Sequence, residues 1–127
     1  FAFSVLNRLR ANATLNETSW VLLAVGALAA LPSVVTGLVA HEPYENTAVA
    51  SAIQPHQLLG MLGTLATLAL LVWRWRSRRA GKDIGQSGVY GVFALLGLAW
   101  LFVLGGTGGN LVYQFAVNVR AINPLLK

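Results

Sequence analysis

Three long apolar runs decide what this chain can fold into, because each has the length of a helix that crosses a lipid bilayer. The runs cover about 20–40, 55–75 and 88–113, and Arg74 is their only charged residue. A hydrocarbon core needs about 20 consecutive apolar residues, whereas a soluble helix carries charge on one face at every turn. The sequence therefore predicts an all-α integral membrane helical bundle with three transmembrane helices, in a single domain over 1–127.

The segment ahead of the first run combines apolar and basic residues. Residues 1–19 begin with FAFSVL and continue through Arg8 and Arg10 into the polar stretch NATLNETS. This pattern fits the end of a preceding helix or a short helix lying in the membrane interface. We expect a partial or interfacial helix here, then a loop, with Thr18 or Ser19 as the N-cap of the first transmembrane helix.

Positive charge is concentrated at the end of the second run. The net charge is +5, and five of the nine cations are Arg74, Arg76, Arg78, Arg79 and Lys82. Basic residues next to a membrane helix anchor it on the cytoplasmic side. Loop 76–87 is therefore predicted to be cytoplasmic, and loop 41–55 and the C-terminus extracytoplasmic. No folded polar surface remains for nucleic acid, which is not an expected partner.

The residue content also excludes several kinds of chemistry. The chain has no cysteine, so it forms no disulfide, no cysteine-ligated iron–sulfur cluster and no covalent c-type haem. Its glycine cluster follows a membrane helix instead of a strand, unlike a nucleotide-binding loop. No nucleophile with a neighbouring base and no carboxylate pair is evident. We expect a non-catalytic or electron-transfer subunit, not a hydrolase or phosphotransferase.

The polar segment from His41 to His56 contains both histidines of the chain. Pro55 is expected in the first turn of the following helix. His56 would then lie near the positive end of the helix dipole, which favours the neutral, metal-binding imidazole. Gly60, one turn later, leaves room for a flat macrocycle, so His56 is a candidate axial ligand of b-type haem. The alternative is an interfacial histidine bonded to a loop carbonyl.

A metal site is a further possibility in this segment. His41 is expected at the same depth as His56, and the two residues with Glu42 offer ligand types that suit zinc, iron or copper. Pro43 prevents the neighbouring residues from forming a regular helical metal motif. The alternative for His41 is a structural role in the loop.

The third run contains a cluster of four glycines: Gly105, Gly106, Gly108 and Gly109. Because glycine weakens a lipid-exposed helix, we expect another backbone or a flat ligand to come close here. Asn110 and Tyr113 return to the outer face, where they can donate hydrogen bonds to a haem propionate or a quinone oxygen. Arg120 is a further candidate partner for a propionate. The alternatives are a helix-ending asparagine and an aromatic-belt tyrosine.

Small residues in the second and third runs are expected to let helices approach one another closely. They are the pairs Gly60 and Thr64, and Gly63 and Thr67, together with Gly91 and Gly97.

The end of the third run, GGTGGNLVYQFAVNV at 105–119, resembles the closing motif of a prokaryotic membrane family catalogued as domain of unknown function 2231. The residues that match the motif G-G-x-L-V-Y are Gly108, Gly109, Leu111, Val112 and Tyr113. LPSVVTG at 31–37 and the H-x-x-L-G pattern that starts at His56 agree with it. The resemblance covers most of residues 20–119, although Ala116 and Asn118 stand where the family usually has glycine.

The resemblance implies four membrane helices, the first with a histidine-rich motif, H-P-x-x-V-H-F-P. This chain lacks that motif, and FAFSVLNRLR resembles only the end of such a helix, so we expect the first helix to lie outside this sequence or to be degenerate. Some members resemble membrane anchors fused to Rieske-type electron carriers. The resemblance therefore implies a prokaryotic inner-membrane protein of respiratory or photosynthetic electron transfer.

Three hypotheses of function follow. The first is a subunit of an electron-transfer complex that binds b-type haem or quinone at the extracytoplasmic face, with His56 as the preferred ligand. Its partners would be the lipid bilayer, other membrane subunits and an extracytoplasmic electron carrier. The second is a cofactor-free scaffold of a larger membrane complex, which binds through its glycine faces. The third is an outer-face metal-binding protein that uses His41, Glu42 and His56.

Overall fold

Helices make up nearly all of the part of the chain that the computed structural model describes, residues 1–10 and 12–117. The α-helices are α1 (Ala2–Leu9), α2 (Ala13–His41), α3 (Ala50–Arg79) and α4 (Gly88–Phe115), and single 3₁₀ turns lie at Glu42–Tyr44 and Ile84–Gln86. Helices α2, α3 and α4 are long and apolar enough to cross a membrane. No strand occurs in these residues, so the all-α prediction with three transmembrane helices is confirmed.

Helix α2 begins earlier than predicted. Its N-cap is Asn12, whose side chain accepts a hydrogen bond from the Thr14 amide at 2.7 Å. Thr18 and Ser19 lie inside the helix, so the prediction that one of them is the N-cap is wrong. Asparagine caps a helix as well as serine does, and the polar first turns of α2 are needed for contacts at the end of the bundle described below.

Helix α3 also begins before its predicted start, at Ala50. Pro55 therefore lies inside the helix, where it removes one backbone donor, and His56 is in the second turn instead of the first. The effect of the helix dipole falls off within the first turn, so the predicted position of His56 at the positive end of the dipole is wrong. A side-chain contact, described below, orients the ring.

Helix α4 continues unbroken through the glycine cluster, in which only Gly108 meets a neighbouring side chain. The helix ends where Ala116 adopts a left-handed conformation with φ 51°. The Ala116 amide donates to Val112 and the Val117 amide to Leu111. A side chain strains this conformation, and glycine is the usual residue at such a helix end.

Helix α1 runs antiparallel to α4 and packs along its first half. A Cβ atom on Gly97 would lie 2.7 Å from the Phe1 ring, and one on Gly91 would lie 3.0 Å from Arg8 Cγ. Gly91 and Gly97 are thus packing positions, as predicted. Helix α1 therefore lies along α4 and not across it.

The face that α1 turns towards the bundle is polar. Ser4 and Asn7 are buried, whereas Phe3, Leu6 and Leu9 are exposed. This arrangement inverts the usual amphipathic helix of a soluble protein. It suits a lipid-exposed outer face around a polar interior.

Gly63 of α3 packs against the Trp100 ring of α4. A Cβ atom there would lie 2.6 Å from Trp100 Nε1, which donates a hydrogen bond to the Leu59 carbonyl at 3.2 Å. At Gly60 nothing lies within 4 Å of the same position. At Gly63 the group that comes close is thus the Trp100 side chain and not a helix backbone, and Gly60 leaves open space.

A buried polar cluster around Arg74 holds the arginine end of the bundle, where α3 ends and α4 begins. Arg74 is 0% exposed. Its Nε lies 3.0 Å from Asp83 Oδ1, and its Nη1 donates to Ser19 Oγ at 2.9 Å and to Tyr90 Oη at 3.3 Å. Its Nη2 donates to the carbonyl and side-chain oxygens of Asn16, both at 2.9 Å. Its partners come from α2, α4 and the connecting loop, so Arg74 also has a structural role that the prediction of a basic anchor did not include.

The charge pair in this cluster makes the fold sensitive to acid. Partial burial works against ionisation of Asp83, but hydrogen bonds from Arg74, the Gly85 amide and Asn16 outweigh it and lower the pKa of Asp83 from 3.8 to about 2. A depressed pKa stabilises the fold fully above the unfolded value, and this stability is lost as the pH falls from about 4 towards 2. We expect the thermal midpoint to drop over this interval by the equivalent of about 1–2 kcal/mol, after screening by solvent.

Asp83→Asn should remove this part of the acid sensitivity, and Glu17→Gln, which changes a carboxylate that is 59% exposed, should keep it. The check is a series of thermal melts in detergent followed by circular dichroism. If the thermal midpoint of the Asp83 variant fell between pH 4 and 2 as steeply as that of the wild type, Asp83 would not be the source of the acid sensitivity.

Candidate functional site

His56 is held against α4 by a hydrogen bond that selects its tautomer. His56 Nδ1 lies 2.9 Å from Thr107 Oγ1, and the same hydroxyl donates to the Leu104 carbonyl at 3.0 Å. A carbonyl only accepts, so when the hydroxyl proton is used on Leu104, the Thr107 oxygen accepts from His56 Nδ1. We therefore place a proton on Nδ1, an arrangement that in a neutral imidazole leaves the lone pair on Nε2.

The imidazole ring packs on Gly108. A Cβ atom at this position would lie 2.9 Å from His56 Cε1, closer than carbon atoms come without one of them moving. The glycine cluster was expected to meet another backbone or a flat ligand, and at Gly108 the group that comes close is the histidine side chain.

Nε2 of His56 is open for a ligand. It makes no hydrogen bond to any residue in the described part of the chain. Among the described residues, the side-chain atoms that are buried without a hydrogen-bond partner are Asn7 Oδ1 and His41 Nε2. Because His56 Nε2 also lacks a partner and is not one of these buried atoms, it is accessible. Histidines that bind metals commonly donate their other ring N–H to a fixed acceptor, which orients the ring, and Thr107 fills that role here.

His56 lines a cavity of about 370 Å³ between α2, α3 and α4. The other polar side chains in its lining are those of Ser33, Gln57 and Thr64. A second, larger cavity of about 680 Å³ adjoins it and extends towards the arginine end of the bundle, with a lining that is mostly apolar. The residues shared by both linings are Gly26, Ala30, Gly60, Thr64 and Leu104.

The other predicted site residues are not all brought together. Gly60 lines both cavities. Asn110 is exposed, Tyr113 is 89% exposed, and neither lines a cavity. Exposure to lipid near a helix end is typical of an aromatic-belt tyrosine. Arg120 lies outside the described residues.

His41 ends α2 and does not line the His56 cavity. Its Nε2 is buried without a hydrogen-bond partner. Across residues 1–10 and 12–117, no three side chains of the types His, Cys, Asp and Glu gather in a way that can hold a metal ion. The structure therefore does not assemble His41, Glu42 and His56 as a three-ligand set.

Sequence reasoning missed Thr107, the partner of His56. The available signal is its position, since it is the one hydroxyl residue within the glycine cluster, GGTGG. A polar residue inside a membrane helix usually has a partner on a neighbouring helix.

Comparisons with curated proteins and with solved structures find no match to this chain. A family model described as a predicted membrane protein, domain of unknown function 2231, matches residues 1–121 of the 127. The match runs through α1, the three membrane-spanning helices and the His56 site, so the chain belongs to this family of membrane proteins.

Proposed function

We propose that this chain is a subunit of a respiratory or photosynthetic electron-transfer complex and binds a redox cofactor, b-type haem or quinone, beside His56. The observation that carries the proposal is the state of that histidine. Its proton is fixed on Nδ1 by Thr107, and its Nε2 lone pair is accessible in a residue that lines a cavity. Such a lone pair suits haem iron or the hydroxyl of a reduced quinone.

The residues around His56 fit a cofactor of either kind in part. His56 would hold a haem iron through Nε2, and the open space at Gly60 would accommodate a flat ring. A bound haem or quinone would supply the electron-carrying chemistry. The protein would orient the cofactor through the hydrogen bond between Thr107 and His56 and exclude water with the surrounding helices.

The charge distribution supports an orientation for this subunit in a prokaryotic inner membrane. Seven of the nine cations precede α2 or lie between Arg74 and Lys82, at the arginine end of the bundle. By the positive-inside rule that end is cytoplasmic. The His56 site would then lie towards the extracytoplasmic side, where an electron carrier outside the membrane can approach it.

The test is the cofactor content of the intact protein, purified in mild detergent from membranes that make haem and quinone. We expect either a b-type alpha band in the reduced-minus-oxidised spectrum or a stoichiometric quinone in the solvent extract. His56→Ala should lower that content at least about tenfold, since it removes the hydrogen-bonding and ligating group. His41→Ala is the matched control and should leave it unchanged. Cofactor retained in His56→Ala would refute the proposed site.

The second candidate is a cofactor-free scaffold subunit, and the observation that favours it is the open glycine face of α4. Gly105 and Gly109 are one turn apart, and nothing lies within 4 Å of a Cβ atom at either position. A G-x-x-x-G pair lets a helix of another subunit approach closely. The absence of both haem and quinone from the intact protein would favour this candidate over the first.

A further inference from the structure

We infer that the ligand of the His56 site is an isoprenoid quinol, with its ring hydroxyl at His56 and its tail in the larger cavity. This inference rests on the proposed function, because it names which redox cofactor the site takes. Three observations carry it: the division of polarity between the two cavities, the positions of the cations, and the direction of the hydrogen bonds in the lining.

The two adjoining cavities differ in polarity. The 370 Å³ cavity holds His56, Gln57 and Ser33. The 680 Å³ cavity is lined by leucines, alanines, glycines and aromatic rings, with Thr64 and Thr67 as its only hydroxyl residues. A ligand that fills both has a small polar head and a longer apolar remainder. A prenylated ring has that shape.

An anionic ligand would need positive charge in the lining of the cavities. No lysine or arginine from the described residues lines either cavity. A phosphate headgroup or a pair of haem propionates is anionic and is usually met by such residues. A quinol head is neutral and needs only hydrogen bonds, so it fits this lining better than a phospholipid or haem does.

The hydrogen bonds in the smaller cavity favour a ligand that donates. Ser33 Oγ donates to the Ala29 carbonyl and Thr64 Oγ1 to the Gly60 carbonyl, both at 2.9 Å. Their protons are thus used within their own helices, and towards a ligand these hydroxyls only accept. His56 Nε2 accepts as well, which leaves the Gln57 amide as the one donor among these polar side chains.

This acceptor-rich lining distinguishes the two redox forms of the ligand. A quinol hydroxyl donates to His56 Nε2, whereas a quinone oxygen would meet the same lone pair and gain no hydrogen bond. One hydrogen bond is worth a few-fold to about tenfold in affinity. The site should therefore prefer quinol to quinone by this factor.

The experiment is equilibrium binding of ubiquinol and ubiquinone with ten-carbon tails to the intact protein in nanodiscs, under anaerobic conditions. The wild type should bind the quinol a few-fold to about tenfold more tightly. Thr107→Val removes the acceptor for Nδ1–H, so the ring proton can move to Nε2 and donate to a quinone. This variant should lose or reverse the preference, and Thr107→Ser should keep it.

A second pair of variants tests the position of the tail. Gly60→Leu places a side chain in the open space shared by both cavities. It should weaken the binding of both quinol and quinone at least about tenfold. Gly106→Leu makes the same substitution on α4. Nothing lies within 4 Å of a Cβ atom at Gly106, and this residue lines neither cavity. It should leave binding unchanged.

The outcomes separate this inference from the proposed function. Haem bound at His56 without quinol binding would overturn the inference and leave the proposed function standing, whereas the absence of any redox cofactor would overturn both. Equal affinity for quinol and quinone would overturn the inference, as would binding that is insensitive to Gly60→Leu. A bound phospholipid that quinol does not displace would identify the two cavities as a lipid site, and this result would also overturn the inference.

Discussion

Replacement of Arg74 by methionine is expected to lower the free energy of unfolding by about 3–5 kcal/mol, the usual cost of breaking a buried ion pair from one side. The guanidinium is fully buried, and each of its three nitrogens donates a hydrogen bond. Methionine fills a similar volume but leaves Asp83 without its counter-ion. It also leaves the oxygens of Ser19 and Asn16 with fewer donors inside the bundle.

The matched control is Arg76→Met, at an exposed position two residues away. Substitutions at such sites usually change stability by less than about 0.5 kcal/mol. Unfolding of both variants in detergent micelles by heat or denaturant, followed by circular dichroism, provides the comparison. Equal stability of the two variants would show that the Arg74 cluster does not hold the helices together.

Gly63→Leu is expected to separate α3 from α4 and to destabilise the bundle by about 1–3 kcal/mol, the typical cost of overpacking a tight contact. The first added atom would lie 2.6 Å from Trp100 Nε1. To make room, the indole must move and give up its hydrogen bond to the Leu59 carbonyl. The loss is therefore one of packing and of an interhelical hydrogen bond.

Gly60→Leu is the control for this prediction, because it makes the same substitution one turn away on the same helix. Open space surrounds that position, so the midpoint of thermal unfolding should stay near that of the wild type. A similar loss of stability in both variants would mean that the effect comes from changing a glycine in α3 and not from the contact with Trp100.

The transmembrane helices were predictable because their apolar length follows directly from the thickness of a bilayer. Their boundaries were not, because polar residues at helix ends satisfy several rules at once. Asn12 and Ser19 are both good caps, and the choice of Asn12 leaves Ser19 free to meet Arg74. That contact joins residues 55 positions apart, which no local pattern reveals.

The candidate site was predictable in outline from the same kind of reasoning. The density of glycines suggested a close neighbour, and at Gly108 that neighbour is the His56 ring. The proton on its ring depends on Thr107, and that pairing depends on how α3 and α4 are rotated about their own axes. A sequence gives the face of a helix only through its polarity pattern, and a helix that is apolar all round has almost none.

The two ends of the bundle differ in how freely their helices can move. At the arginine end, hydrogen bonds from one guanidinium reach α2, α4 and the loop between α3 and α4. Towards the histidine end, the cavity of about 370 Å³ beside His56 lies between α2, α3 and α4. Small tilts of the helices about the arginine end would widen the gap beside His56 without unfolding any helix. A ligand dissolved in the bilayer could then enter sideways, between helices, without passing through water.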